Sequence, residues 1–266
     1  MAKRMDTLGG QMLSGKKALI AYFTIGYPSL IESVATCKAL ADAGADCIEL
    51  GIPFSDPLAD GPTIQAASYK AISAGGGLKA GIRAAGELRK SCVDVPLVIF
   101  SYYNPIFRMG LADFAKRASD ADADAALVPD LPVEEAGPLI EALAAQKMSM
   151  IFLAAPTSTE KRLKLIQEHS SGFVYAVSVT GVTGVTGERK GLPDYLPGFV
   201  KRIKEAGKLP VAVGFGVSGP EQAEEVAKLA DGVVVGSAFL HAYDTGGVKA
   251  AGRLAADIKK ALGGGH

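Results

Sequence analysis

Eight short apolar runs, each followed by a longer stretch with helical periodicity, constrain this chain more than any other feature. The runs read as strands at 19–24, 46–50, 96–102, 125–129, 148–153, 173–178, 210–214 and 232–236. They are continuously apolar rather than alternating, the pattern of strands buried on both faces. Helical stretches fall at 30–43, 62–90, 110–119, 133–146, 159–168, 194–206, 219–229 and 247–262. Helix starts are marked by Pro62 after Gly61, by Pro220 after Gly219, and by Ser158 and Thr159 before a charged amphipathic run. Strict alternation of strand and helix implies a parallel sheet. Eight units favour a closed (β/α)8 TIM barrel over an open doubly wound sheet, the remaining alternative. A length of 266 residues suits one such barrel, which typically needs about 250. The expected organisation is one barrel domain over 1–266, with an extra N-terminal helix at 1–13 under the barrel and a flexible tail at 263–266.

Composition narrows the class of partner. Lys plus Arg and Asp plus Glu each total 28, so there is no broad basic face and nucleic acid is not expected. No run reaches the 18 or so apolar residues of a membrane span. The apolar segment 18–24 follows two lysines as a signal peptide would, but it is short, lacks a small-residue cleavage site and reads as a strand. Cys37, Cys47 and Cys92 form no C-x-x-C pair, and an odd count does not suit a disulfide framework, so a reduced cytoplasm is the expected location.

Barrels of this kind carry their sites at the C-terminal ends of the strands. Glu49 stands there, inside CIELG, where an apolar residue would ordinarily pack. A carboxylate in that position loses hydration, its pKa rises, and it becomes suited to proton transfer near neutral pH. The plain alternative is a glutamate bonded to a core backbone or tyrosine group. Asp60 ends the loop GIPFSDPLAD, stiffened by Pro53, Pro57 and Pro62. It reads either as a helix N-cap or as a second working acid. Asp56, in the same loop, reads as loop structure or contact surface. No lysine stands at a strand end, which disfavours a Schiff-base aldolase. Three histidines, His169, His241 and His266, are too few and too scattered for a metal site.

Two glycine-rich stretches complete the inventory. Gly214-Phe215-Gly216-Val217-Ser218-Gly219 follows the seventh strand and Gly236-Ser237 the eighth. Backbone N–H groups freed by glycine, at a helix N-terminus, suit a phosphate, and these two loops are the usual phosphate site of the barrel. The first run also fits the dinucleotide fingerprint G-x-G-x-x-G, but it lies late in the chain, and Asp231 precedes the next strand instead of ending it. The loop 180–191, TGVTGVTGERKG, reads as a lid or as a plain surface loop.

These pieces, taken in order, resemble one family. The run from Glu49 to Gln65 (ELGIPFSDPLADGPTIQ) is similar to the signature of the tryptophan synthase α subunit. So are YYNPIF at 102–107, VPDLPVEE at 128–135, SVTGVTG at 178–184, GFGVS at 214–218 and GSA at 236–238. The resemblance covers nearly the whole chain; the long block is specific, the short glycine motifs are weak alone. It implies a (β/α)8 lyase that splits indole-3-glycerol phosphate into indole and glyceraldehyde 3-phosphate, with no cofactor on this chain. It also implies a pyridoxal-phosphate β subunit as partner, in an α2β2 heterotetramer, in the cytoplasm or, for a plant chain, the plastid. No transit peptide is seen. By resemblance Glu49 is the general acid/base and Asp60 accepts the indole N–H. Tyr22, Phe100, Tyr102, Pro129, Leu153, Tyr175, Thr183 and Phe215 form the indole pocket. Gly184, Gly216, Gly236 and Ser237 hold the phosphate. Tyr22 and Pro129 depart from the family version, which has phenylalanine and alanine at those places. Three other readings stand beside this one: a stand-alone lyase, a catalytically silent activating subunit, and another phosphate-binding barrel. The presence of both acids disfavours the second, and the Glu49–Gln65 block does not fit the third.

Overall fold

The computed structural model describes residues 3–177, 191–214 and 216–263. Its strand segments are β1 (Ala18–Thr24), β2 (Cys47–Gly51), β3 (Leu97–Phe100), β4 (Ala125–Leu127), β5 (Ser149–Ile151), β6 (Leu153–Ala154), β7 (Val174–Val177), β8 (Val211–Gly214) and β9 (Gly232–Val235). All their pairings are parallel. The order β5-β4-β3-β2-β1-β9-β8-β7-β6 begins and ends on two pieces of one strand. The break is at Phe152, whose N–H donates to Ser170 Oγ at 3.3 Å instead of to a neighbouring strand. Its carbonyl still accepts from Tyr175 N–H at 3.1 Å. The nine segments therefore make eight barrel strands, and the sheet closes on itself.

The helices are α1 (Lys3–Leu13), α2 (Leu30–Asp42), α3 (Pro62–Ser73), α4 (Leu78–Lys90), α5 (Tyr103–Met109), α6 (Leu111–Asp120), α7 (Gly137–Ala145), α8 (Glu160–His169), α9 (Leu196–Ala206), α10 (Pro220–Ala227) and α11 (Ser237–Ala261). Thr159 caps α8 by accepting from Arg162 N–H, and prolines begin α3 and α10. Several elements differ from the sequence expectation: residues 133–135, expected to open a helix, form a 3-10 turn, and α7 begins only at Gly137. The stretch 62–90 is two helices, because Gly75 and Gly77 hold positive φ between them. The third strand stops at Phe100, and residues 103–109 coil into α5, with Tyr103 N–H bonded to Asp130 Oδ1 at 2.8 Å. The last helix begins at Ser237, ten residues early, and bends at Gly246 and Gly247.

Alternation along the strands sorts side chains into two sets. Leu19, Ala21, Phe23, Ile48, Leu50, Leu97 and Ile99 face the helices. Ala18, Ile20, Cys47, Val98, Ala125, Leu127, Ile151, Phe173, Ala212 and Val234 fill the barrel. The lower mouth is closed by α1, which adds Met5, Leu8 and Met12 to the inner set. A close approach makes this possible: a Cβ on Gly9 would lie 2.7 Å from the carbonyl oxygen of Gly172. Three aspartates repeat one arrangement at this end. Asp46, Asp124 and Asp231 each stand just before a strand and accept the N–H of a residue on the strand beside it, Leu19, Leu97 and Val211 respectively. Each also meets a cation, Lys259 at 2.5 Å, Arg89 at 2.5 Å and Lys204 at 2.8 Å.

Candidate active site

Parallel registers, climbed two residues on every second strand, define levels inside the barrel. Glu49, Leu127, Tyr175 and Val234 share one level, and Tyr22, Phe100, Leu153 and Gly214 form the level above. Glu49 projects inward because Cys47, two residues before it, does so. It is 0% exposed, and neither carboxylate oxygen has a hydrogen-bond partner among the described residues. Burial alone pushes its pKa up to about 8, so the acid rests protonated at neutral pH.

Above this floor opens a cleft of about 1310 Å³. Asp60 stands on its wall at the end of the β2–α3 loop. The loop is tied back by Asp60 N–H to the Pro57 carbonyl at 3.0 Å and by Gln65 Nε2 to the Asp60 carbonyl at 2.9 Å. The Tyr102 hydroxyl accepts from Ala59 N–H at 2.9 Å and bonds the Asp60 carboxylate. Burial raises Asp60 to about 6, and the Tyr102 bond moderates the rise. The two acids are therefore set about two units apart, one protonated and one charged at neutral pH, by burial acting on them unequally.

Of the other residues expected from the sequence, Tyr22, Phe100, Pro129, Leu153, Tyr175, Gly216, Gly236 and Ser237 all line the cleft. Glu49 and Tyr102 do not. Glu49 is wholly buried at the foot of the cleft, on the level it shares with the lining residues Tyr175 and Val234, and Tyr102 is stacked on Phe54 at 5.1 Å between ring centroids. Thr183, Gly184 and Phe215, with the loop 180–191 up to residue 190, lie outside the described residues. Tyr22 meets Phe100 edge to face, centroids 5.4 Å apart at 87°.

Glycines at the strand ends make room for the aromatic groups. A Cβ on Gly51 would collide with the Tyr22 ring and hydroxyl, and one on Gly214 with the Tyr175 hydroxyl. At Gly236 it would stand 3.2 Å from the Tyr22 ring. Gly216 has φ +46°, a left-handed backbone that turns the chain toward α10. Ser218 is not free for a ligand, since its N–H and hydroxyl both reach Gln222 Oε1, at 2.8 and 3.0 Å. Ser237 opens α11 beside the cleft, and no side chain caps that helix N-terminus. Sequence reasoning missed Ile64, Val128 and Val234 on the wall. Val234 was accessible from strand parity, two residues before Gly236.

A family model, "Tryptophan synthase alpha chain", matches residues 10–260. The chain belongs to the tryptophan synthase alpha chain family. The α reaction of this family cleaves indole-3-glycerol phosphate, and the chain is a lyase of that reaction. The tryptophan synthase alpha chain of Geobacter sulfurreducens is 44% identical over 262 residues, 98% of each protein. That of Dehalococcoides mccartyi is 44% identical over 230 residues, 86% of this chain and 89% of its own. Among solved structures, tryptophan synthase from Mycobacterium tuberculosis superposes with a TM-score of 0.89 at 36% identity, covering 98% of this chain and 99% of its counterpart. The tryptophan synthase alpha subunit of Legionella pneumophila gives 0.88 at 34% identity, with 98% of both chains covered. Among the described residues no cluster of His, Cys, Asp and Glu could hold a metal, and no helix is long and apolar enough to cross a membrane.

Proposed function

We propose that Glu49 and Asp60 divide the chemistry of the α reaction between them. The bond to break joins indole C3 to a side-chain carbon bearing a hydroxyl. Cleavage requires a proton on C3, which makes the ring an electron-accepting indolenine, and removal of the proton from that hydroxyl as its carbon becomes an aldehyde. One proton enters and one leaves, so a single acid/base group closes the cycle. Glu49, protonated at rest, gives its proton to C3 and as a carboxylate takes the hydroxyl proton. Asp60, charged at neutral pH, accepts the indole N–H and stabilises the positive charge that grows there. The observation that supports this division is the pair of unpartnered Glu49 oxygens directly beneath a cleft walled by Asp60.

Tyr22, Phe100, Pro129, Leu153 and Tyr175 hold the indole, with Thr183 and Phe215 expected beside them. Gly216, Gly236 and Ser237, with Gly184, take the phosphate. The chain needs no cofactor for this step. Its partner is a tryptophan synthase β subunit carrying pyridoxal phosphate, in an α2β2 assembly in the cytoplasm. A docking rim for that partner is supported by the loops beside the cleft: Leu58, after β2, is 93% exposed, and Phe107, after β3, is 63% exposed.

The test is indole release from indole-3-glycerol phosphate by the purified chain, with and without an added β subunit. Slow release alone and strong stimulation by the partner is the expected result. Fast release without stimulation would favour a stand-alone lyase, and no release in either condition would remove the catalytic reading.

A further inference from the structure

We infer that the Tyr22 hydroxyl is a positioning group for both acids, an uncharged donor on the residue paired with Glu49 and in the cleft that Asp60 lines, which stabilises whichever of them is ionised. This goes beyond its ring's place in the indole pocket, and it rests on the proposed roles of the two acids.

Three observations carry it. Tyr22 on β1 is the direct Cα partner of Glu49 on β2, and its ring occupies the level immediately above the buried carboxyl. The hydroxyl sits in a niche that exists because residue 51 has no side chain. In that niche its one hydrogen-bond partner among the described residues is Thr24 Oγ1, at 3.5 Å, too long to satisfy a phenol. An under-used donor therefore stands on the residue paired with an acid that has no hydrogen-bond partner among the described residues. Burial first, then the charge of Asp60 and more weakly that of Glu49, push the Tyr22 pKa well above its ordinary value, so the hydroxyl keeps its proton.

The other titratable groups around the acids are placed differently. Tyr102, from the end of β3, is already engaged with Ala59 N–H and Asp60. Tyr175, from β7, shares Glu49's level with its hydroxyl over Gly214; burial first, then the charge of Glu49, raise its pKa, so it is a second protonated hydroxyl beside that acid. Cys47, one inward position below Glu49 on β2, is buried and holds its proton. On β8 and β9 the inward positions at these levels, Gly214 and Val234, carry no donor.

Tyr22→Phe removes the oxygen and keeps the ring. The expected result is a roughly tenfold lower kcat with KM changed less than twofold. Both limbs of the kcat/KM pH profile should move to higher pH, because each acid loses a donor to its charged form. The Glu49 carboxyl band can be isolated by infrared difference spectra against Glu49→Gln, taken once with Tyr22 in place and once with Tyr22→Phe in both proteins. It should titrate at higher pH without the hydroxyl. An unchanged pH profile and an unchanged Glu49 titration would overturn the inference, as would a rise in KM alone. Failure of the functional reading looks different: protein with both acids and Tyr22 intact releasing no indole, while the Glu49 titration still shifts.

Discussion

The two ends of the barrel treat carboxylates in opposite ways. At the lower end Asp46, Asp124 and Asp231 each receive a strand N–H and a lysine or arginine within 2.8 Å. At the upper end Glu49 receives no hydrogen bond from the described residues, although it is buried more completely than any of the three. The chemical group is the same at both ends, so what separates structure from chemistry here is whether the fold supplies donors. A buried acid with donors fixes strand register and charge. A buried acid without them is neutral at rest and ready to exchange a proton. Asp124 shows the balance within one residue: burial raises its pKa, while Leu97 N–H, Arg89 and Arg4 pull it back.

The comparison breaks first at Glu49. Glu49→Gln should lower kcat about a thousandfold, measured as indole release. The fold should survive, and its stability should diverge from wild type with pH. A native pKa of about 8 against an unfolded value of 4.5 means that the folded state binds the extra proton. Wild type therefore loses stability as pH rises through that window, and Glu49→Gln does not. Denaturation midpoints at pH 5 and pH 9 should show the variant gaining up to about 4 kcal/mol relative to wild type. A variant that loses stability at both pH values would mean that Glu49 is paired after all.

A smaller effect is expected at Asp60. Asp60→Asn keeps the shape but not the charge, and kcat should fall roughly a hundredfold. In wild type, activity should decline as pH drops below about 6, where Asp60 takes up a proton. Persistence of that acid limb in the variant would assign it to another group.

The smallest effect sharpens the contrast from the other end. Asp124→Ala leaves Arg89 and Leu97 N–H without their acceptor. Denaturant unfolding should show a loss of about 2–3 kcal/mol, at the low end for a broken buried pair because Arg4 and Asp122 remain nearby. The kcat of the folded fraction should be unchanged. A drop in kcat at unchanged stability would erase the division between the two ends.

Much of this was legible in the residues. The strand segments fall within a residue or two of the apolar runs, because a strand buried on both faces has no polar positions to blur its limits. Glu49 was legible for the same reason: one carboxylate in such a run is conspicuous. The split of 62–90 was legible too, since Gly75-Gly76-Gly77 is a run of three glycines that a helix does not tolerate; only the positive φ at Gly75 and Gly77 needed the folded backbone. The early start of α11 was hidden because SAFLHAYDT has no proline or cap to mark it. Thr183, Gly184 and Phe215 stay as sequence expectations.

By itself, then, the sequence determined the alternating β/α order, the parallel sheet and the two acids, one on the second strand and one at the end of the loop after it, because hydrophobic period and local propensity are written residue by residue. Only the tertiary structure decided that the strands close through a break at Phe152, and that Glu49 lies beneath the cleft instead of on its wall. It alone showed that Gly51, Gly214 and Gly236 are glycines for the sake of Tyr22 and Tyr175. Those facts depend on which residues meet across the barrel, and the levels that bring Tyr22 over Glu49 exist only once the eighth strand has closed against the first.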